Sequence, residues 1–280
     1  MRLDYRLPSA PLGDWITVHA CVGAVATPGA QVLPAMLPNL HVWLGGEGRY
    51  IFADGTEEAA PRIGLLGPTS AAYRIELDAG AMLVATGFLP AGWRALVGAP
   101  ATEFADRLIA ADRFWPHRAL DRLFDRMLDT AGDAERCRLV EDFLVAHARD
   151  TPDPLGAQGA AIEHWLETSA GLRLDTLGAL LDVGPRHMRR LTLELYGISP
   201  KALAMKYRAL RAAAALALYG EAGLEAAVTP FADQAHLTRD FGRFVGWTPS
   251  AFIQQNQNVA ARTLEGRKRA GARRILTLLS

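Results

Sequence analysis

Phe231-Ala232-Asp233-Gln234-Ala235-His236-Leu237-Thr238-Arg239-Asp240-Phe241-Gly242-Arg243-Phe244, continued by Val245-Gly246-Trp247-Thr248-Pro249-Ser250-Ala251-Phe252, is the stretch on which the reading of this chain turns. Asp233 carries a short acceptor for the free amides of a helix that begins at Gln234. Leu237, Phe241 and Phe244 then recur at i, i+4 and i+7, so one stripe of that helix is apolar. At about 100° per residue, Ala235, Arg239, Gly242 and Arg243 point away from the stripe. Two small residues there permit close approach of a partner, and two arginines suit phosphate or guanine.

The same plan occurs earlier in the chain. Leu174, Leu177, Leu180 and Leu181 form the apolar stripe of a short helix that stops at Asp182-Val183-Gly184. Pro185, with its fixed φ, opens the next helix. On it Met188, Leu191 and Leu195 lie together, while Arg186, Arg189 and Arg190 take the opposite side with His187 beside them. A short helix, a tight turn with glycine and a helix with a basic outer face make a helix-turn-helix. Gly197-Ile198-Ser199-Pro200 closes that helix and caps another, which runs to about Tyr219 and spans roughly 28 Å at 1.5 Å per residue. Leu224 to Thr229 and Asp233 to Val245 supply a second unit, and Gly246-Trp247-Thr248-Pro249 repeats the Gly-x-[Ser/Thr]-Pro design. Successive major-groove faces on one side of a duplex lie about 34 Å apart, so a rigid helix of nearly that length lets one chain reach two of them.

Residues 160 to 253, above all Gly197-Ile198-Ser199-Pro200 and Phe231 to Phe252, resemble the DNA-binding domain of the AraC/XylS family of bacterial transcription regulators. The resemblance implies two helix-turn-helix units on a linker helix, double-stranded promoter DNA as partner, and regulation by a ligand of another domain. It makes Arg186, His187, Arg189 and Arg190 candidate contacts in the first unit and Gln234, His236, Thr238, Arg239 and Arg243 in the second. RNA polymerase, a small-molecule effector and a second copy of the chain are further candidate partners; the N-terminal part, through Gly67-Pro68-Thr69 and Gly87 to Gly92 leading into Pro100 to Phe104, is similar to the sensory or accessory region of one subgroup. Two departures fall in the second unit: Pro230 replaces a usual glycine, and Glu225 a usual aliphatic residue. Gly184-Pro185 stands where Ser-Pro is usual in the first.

The N-terminal half reads differently. From about Asp14 to Pro90, apolar runs (His41 to Leu44, Tyr50 to Phe52, Ile63 to Leu66, Tyr73 to Leu77, Met82 to Phe88) alternate with turn residues, as in a small β-sandwich or barrel. Near Pro100 helical spacing takes over: Phe104, Leu108 and Ile109, then Leu120 to Leu128, then Leu139 to Leu144. The expected fold is therefore α+β: a β-rich sensory domain over 1–98, a helical packing or dimerisation segment over 99–150, a linker at 151–156 and an all-α DNA-binding domain over 157–280. The Thr151-Pro152-Asp153-Pro154 segment marks the boundary.

Zero net charge conceals a division, because residues 1–173 hold 15 Lys+Arg against 22 Asp+Glu and residues 174–280 hold 15 against 8. Such asymmetry suits a nucleic-acid-binding C-terminal half. Cys21 and Cys137 lack the paired spacing of a zinc site, and the scattered histidines lack partners, so no metal, cofactor or catalytic residue is expected. No apolar run has the length of a membrane span, and a soluble cytoplasmic regulator is expected. Trp15, Trp43, Trp93 and Trp115 are candidate lining of a ligand pocket or core. The arginine-rich tail (Arg262, Arg267, Lys268, Arg269, Arg273, Arg274) either adds phosphate contacts or faces solvent. Alternatives from other classes are a ligand- or protein-binding module with impaired DNA binding, and a DNA-repair protein on the same module; a methyl-transfer repair protein would need a metal-held cysteine cluster, which two distant cysteines do not supply.

Overall fold

The computed structural model describes residues 1–149, 153–254 and 259–279. Its first half holds strands β1 (Leu3–Arg6), β2 (Ile16–Val22), β3 (Gly29–Leu33), β4 (Asn39–Gly45), β5 (Gly48–Ile51), β6 (Glu57–Ala59), β7 (Ile63–Leu66), β8 (Tyr73–Leu77), β9 (Met82–Phe88) and β10 (Leu108–Ala110). They form two antiparallel sheets, ordered β1-β2-β9-β4-β7-β10 and β3-β8-β5-β6. Between the sheets Trp43, Leu66 and Leu83 meet Tyr50, Tyr73, Ile75 and Leu77.

The outer face of the larger sheet is covered in turn by α1 (Pro90–Leu96), α2 (His117–Leu128) and α3 (Asp133–Ala146), which bring Trp93, Leu120, Leu123, Met127, Val140 and Leu144 onto Leu40, Val42 and Val84. Strand β4 is thus buried on both faces, which is why it reads Leu40-His41-Val42-Trp43-Leu44 instead of alternating apolar with polar. The apolar face of α2 packs within its own chain.

The five strands read from apolar runs are all present. β1, β3 and β6 escape such a reading because they are short, partly exposed strands carrying Arg, Gln and Glu. The helix expected through Phe104, Leu108 and Ile109 is not formed. A 3-10 turn at Ala101–Phe104 is followed by Asp106 at φ 54°, whose carboxylate accepts from the Ser70 amide at 2.8 Å. Leu108 and Ile109 then pair with Leu66 and Leu65 as edge strand β10. Three apolar residues fit a strand and a helix about equally, and the left-handed residue before them decides.

The second half is helical: α4 (Gly156–Thr168), α5 (Leu174–Leu181), α6 (Pro185–Tyr196), α7 (Pro200–Tyr219), α8 (Leu224–Val228), α9 (Gln234–Val245), α10 (Pro249–Gln254), α11 (Val259–Arg269) and α12 (Ile275–Leu279). Leu203, Ala204, Tyr207 and Leu210 of α7 form the centre against which Leu191, Leu195, Phe241 and Phe252 pack. Of the expected linker, Thr151 and Pro152 lie outside the described residues. Asp153 accepts from the Leu155 amide at 3.0 Å and from Arg94 Nε at 2.6 Å.

α11 and α12 lie against β1, β2 and β3, with the Tyr5 hydroxyl donating to Thr263 Oγ1 at 2.8 Å. Gly266 permits this approach, since a Cβ there would stand 2.4 Å from the Tyr5 ring.

Candidate nucleic-acid interface

The first unit is set by its turn. α5 ends on Asp182, held at φ 49° with its amide on the Ala179 carbonyl, and Pro185 starts α6 two residues after Val183. Met188, Leu191 and Leu195 are buried beneath α6, at roughly 1.5 to 3 kcal/mol apiece. Arg186, His187, Arg189 and Arg190 are all exposed on its other side. Arg190 Nη2 lies 3.3 Å from His187 Nε2, so these two form one polar cluster near the start of the helix. Leu193 is half-buried.

In the second unit Asp233 caps α9 by accepting from the His236 amide at 2.6 Å, a contact worth about 1 kcal/mol. Leu237, Phe241 and Phe244 are buried, and Gln234, Thr238, Arg239 and Arg243 are exposed. The Thr238 hydroxyl donates to the Gln234 carbonyl at 2.8 Å. His236 departs from the others: its ring stands edge-on to Phe231 at 5.5 Å and Nε2 lies 3.3 Å from the buried Asp240 carboxylate. That side chain is turned partly inward, and Asp240, one turn further along the helix, orients it. The supporting helix is short as Pro230 implies, with α8 only five residues long after a 3-10 turn at Gly220–Gly223.

Between the units runs α7, capped by Ser199, which accepts from the Ala202 amide at 3.3 Å. Its 20 residues correspond to about 30 Å. Two arginine-bearing faces are thereby mounted on one helix, and exposed guanidiniums have the chemistry that phosphates and base edges accept.

Contacts with the β half reach both units. Arg94 of α1 pairs with Glu194 of α6 at 3.3 Å, and Gly197, at φ 73°, sits against Pro68 and Ala101 where a Cβ would not fit. At the end of α9, the carbonyls of Arg243 and Phe244 accept from the Ala72 and Ala35 amides at 2.8 and 2.7 Å. From α7, the fully buried Lys206 donates to the Met36 and Thr69 carbonyls at 2.7 and 3.2 Å. Burial lowers its ammonium to about 7, against a smaller opposing pull from Asp106. Lys206 lies three residues after Leu203 and four before Leu210, so its place on the apolar stripe was visible, but its acceptors lie in loops far away in sequence. Pro100 and Thr102 share a groove with Arg186, Arg190 and Leu193, which places the β half beside part of the first basic face.

An apolar cavity of about 100 Å³ lies between the sheets and the helical half, lined among others by Tyr5, His41, Tyr73, Leu210, Leu264 and Arg267. Burial pushes His41 down to about 4, so the cavity wall carries a neutral imidazole. None of the four tryptophans lines this cavity: Trp43 lies in the core between the sheets, Trp93 and Trp115 lie in the core under α1 to α3, and Trp15 packs against that second core. The arginine-rich tail divides. Arg262 donates to the Met1 carbonyl, Arg267 is buried near the Tyr5 ring, and Arg274 pairs with Glu163 and Glu167 at 2.8 and 2.9 Å, whereas Lys268, Arg269 and Arg273 are exposed. Among the described residues no group of three His, Cys, Asp or Glu side chains is placed to hold a metal ion, and no helix is long and apolar enough to cross a membrane.

Residues 177–255 match a family described as a helix-turn-helix domain. Among solved structures the chain is similar to ToxT from Vibrio cholerae, in an apo form with a lysine-to-alanine substitution (11% identity, 84% of this chain and 97% of that chain, TM-score 0.50). An unsaturated fatty acid-bound wild-type ToxT from Vibrio cholerae compares equally (10% identity, 82% and 92%, TM-score 0.50). The AraC-like transcriptional activator CuxR is more distant (16% identity, 75% and 86%, TM-score 0.31). No match is found among curated proteins. The shared fold with ToxT extends over both halves, a β region followed by a helical region. The C-terminal part of this chain is a helix-turn-helix domain of the AraC type.

Proposed function

We propose that the chain is a cytoplasmic, sequence-specific transcription regulator that binds double-stranded promoter DNA, without catalytic chemistry of its own. The observation that carries this reading is the pair of helices with exposed basic faces, α6 and α9, that both pack on one 20-residue helix. Counterion release from phosphates supplies the general affinity, and Arg190 and Arg239, at the middle of their outer faces, select bases. Arg186, Arg189 and Arg243 hold phosphate, with His187, Gln234 and Thr238 as auxiliary contacts. His236 acts mainly by packing on Phe231. RNA polymerase and a second copy of the chain complete the set of partners. The functional division follows residues 1–98, 99–150, 151–156 and 157–280.

The cavity makes this regulator ligand-responsive. ToxT has been crystallised with an unsaturated fatty acid bound, and the cavity described above has the apolar lining that a small hydrophobic effector requires. Because its walls come from both halves, an occupant shifts DNA affinity by binding the docked arrangement differently from the undocked one.

Selection of binding sites from random duplex DNA with the full chain, at two salt concentrations, tests the reading. The expected result is an enriched two-part motif whose retention falls as salt rises. Absence of any enriched sequence, with no salt-sensitive retention, refutes it in favour of a module that no longer binds DNA.

A further inference from the structure

We propose that Cys21 and Cys137 form a reversible oxidation site, a dithiol that a hydroperoxide converts into a single intramolecular disulfide. They are the only cysteines of the chain, separated by 116 residues, and the fold brings their sulfurs to 3.7 Å. No third thiol competes for either partner.

The juxtaposition is held from both sides. Cys21 and His19 share the outward face of β2, and Cys137 and Glu141 lie one turn apart on α3. His19 Nε2 meets Glu141 Oε1 at 2.9 Å, and the other His19 nitrogen meets Thr86 Oγ1 at 2.8 Å. One turn before Cys137, Asp133 accepts from Arg2 Nη2 at 2.7 Å. Positions 133, 137 and 141 of α3 are thus one row facing the sheet, with polar ties above and below the two sulfurs. A disulfide bond is about 2.05 Å long, so closure requires the sulfurs to approach by less than about 2 Å, within reach of side-chain rotation.

The chemistry balances with the peroxide as sole oxidant. One thiol, as its thiolate, attacks the terminal peroxide oxygen; the O–O bond breaks, the alcohol leaves and a sulfenic acid forms. The second sulfur attacks the first, the S–O bond breaks, water leaves and the S–S bond forms. Two electrons pass from the sulfur pair to the peroxide, and the products are one disulfide, one alcohol and one water. Both thiols are buried, and contact with Cys21 together with burial pushes the Cys137 thiol far up. The first step therefore proceeds through transient lifting of α3 from the sheet, which makes the reaction slow and the product durable. The helix so pinned leads into Arg149, whose amide and guanidinium bind the Ala95 and Val97 carbonyls beside Arg94.

The experiment exposes the reduced full chain to cumene hydroperoxide, unfolds it in the presence of an alkylating agent and measures intact and peptide masses. The expected product has lost two hydrogens, is alkylated at neither cysteine, yields a cross-linked Cys21–Cys137 peptide and reverts with dithiothreitol. Its unfolding midpoint rises by about 5 °C or more. The Cys21→Ser variant should lose no such pair of hydrogens. Full alkylation of both cysteines after prolonged exposure, sulfinic or sulfonic acid in place of the cross-link, or disulfide-linked dimers would each overturn the proposal. The wild-type mass measurement decides it even if the variant fails to fold.

Discussion

The two reading helices are built to one plan and tied down by different means. α6 meets the β half through the Arg94–Glu194 ion pair and the close packing of Gly197 on Pro68 and Ala101, whereas α9 is held by hydrogen bonds of its own terminal carbonyls, which accept from the Ala35 and Ala72 amides. A side-chain ion pair that is partly exposed is weakened by salt and removed by one substitution. A main-chain pair survives any change of side chain that preserves the backbone path. The first unit's attachment thus includes a salt-sensitive part that the second lacks, and Lys206 of α7 adds a buried tie to the Met36 and Thr69 carbonyls.

The largest expected effect tests that central contact. The ammonium of Lys206 sits near 7 when buried and near its ordinary 10.5 when released, so the unfolded chain binds the extra proton throughout the interval between them. Stability should therefore rise with pH across that interval and be lowest, and flat, below pH 7. Between pH 7 and about 9.5 the gain is about 3 kcal/mol, and Lys206→Met should flatten this slope in urea unfolding series. An identical slope in the variant would show that Lys206 is not the group responsible.

Gly246→Ala comes next, at about 2 to 3 kcal/mol. It combines a left-handed φ of 83° with a Cβ 2.4 Å from Val32 Cγ1, and adding Val32→Ala should recover part of the loss in thermal unfolding. Failure of that rescue would place the damage in the helix cap instead of the contact between halves. For the DNA faces, Arg190→Ala and Arg239→Ala should each cost about 1 to 3 kcal/mol and relax preference at particular base positions in repeated site selection. Uniform weakening across all sequences would reassign both to phosphate. Smallest is Arg94→Ala, about 1 kcal/mol and shrinking with added salt, since it removes only the ion pairs to Glu194 and Asp153. Hydrogen exchange at the end of α6 should quicken while that at the end of α9 stays unchanged.

Local periodicity was legible wherever one helix face or one strand decided the outcome. The caps at Ser199 and Asp233, the glycine ends at Gly197 and Gly246, and the buried stripes of α6 and α9 all follow from residues within a turn or two of each other. The exposed positions of Arg186, Arg189, Arg190, Arg239 and Arg243 follow from the same arithmetic. The family resemblance makes His236 a candidate contact, yet Phe231 and Asp240 draw its ring partly inward, because a resemblance does not record what a neighbouring side chain offers. The segment through Leu108 has the spacing of a helix, and its strand partners, Leu65 and Leu66, lie some forty residues earlier and leave no periodic trace.

What the sequence by itself determined is the helix-turn-helix repeat, the β character of the first half and the charge division between them, since all three rest on contacts or composition local in the chain. Only the tertiary structure decided that the arginine-rich tail folds back on β1 to β3, that Lys206 finds its acceptors at Met36 and Thr69, and that Cys21 meets Cys137. Each of these pairs residues more than a hundred positions apart. At such separation the partner is chosen by the packing of whole sheets and helices, and no pattern along the chain records the choice.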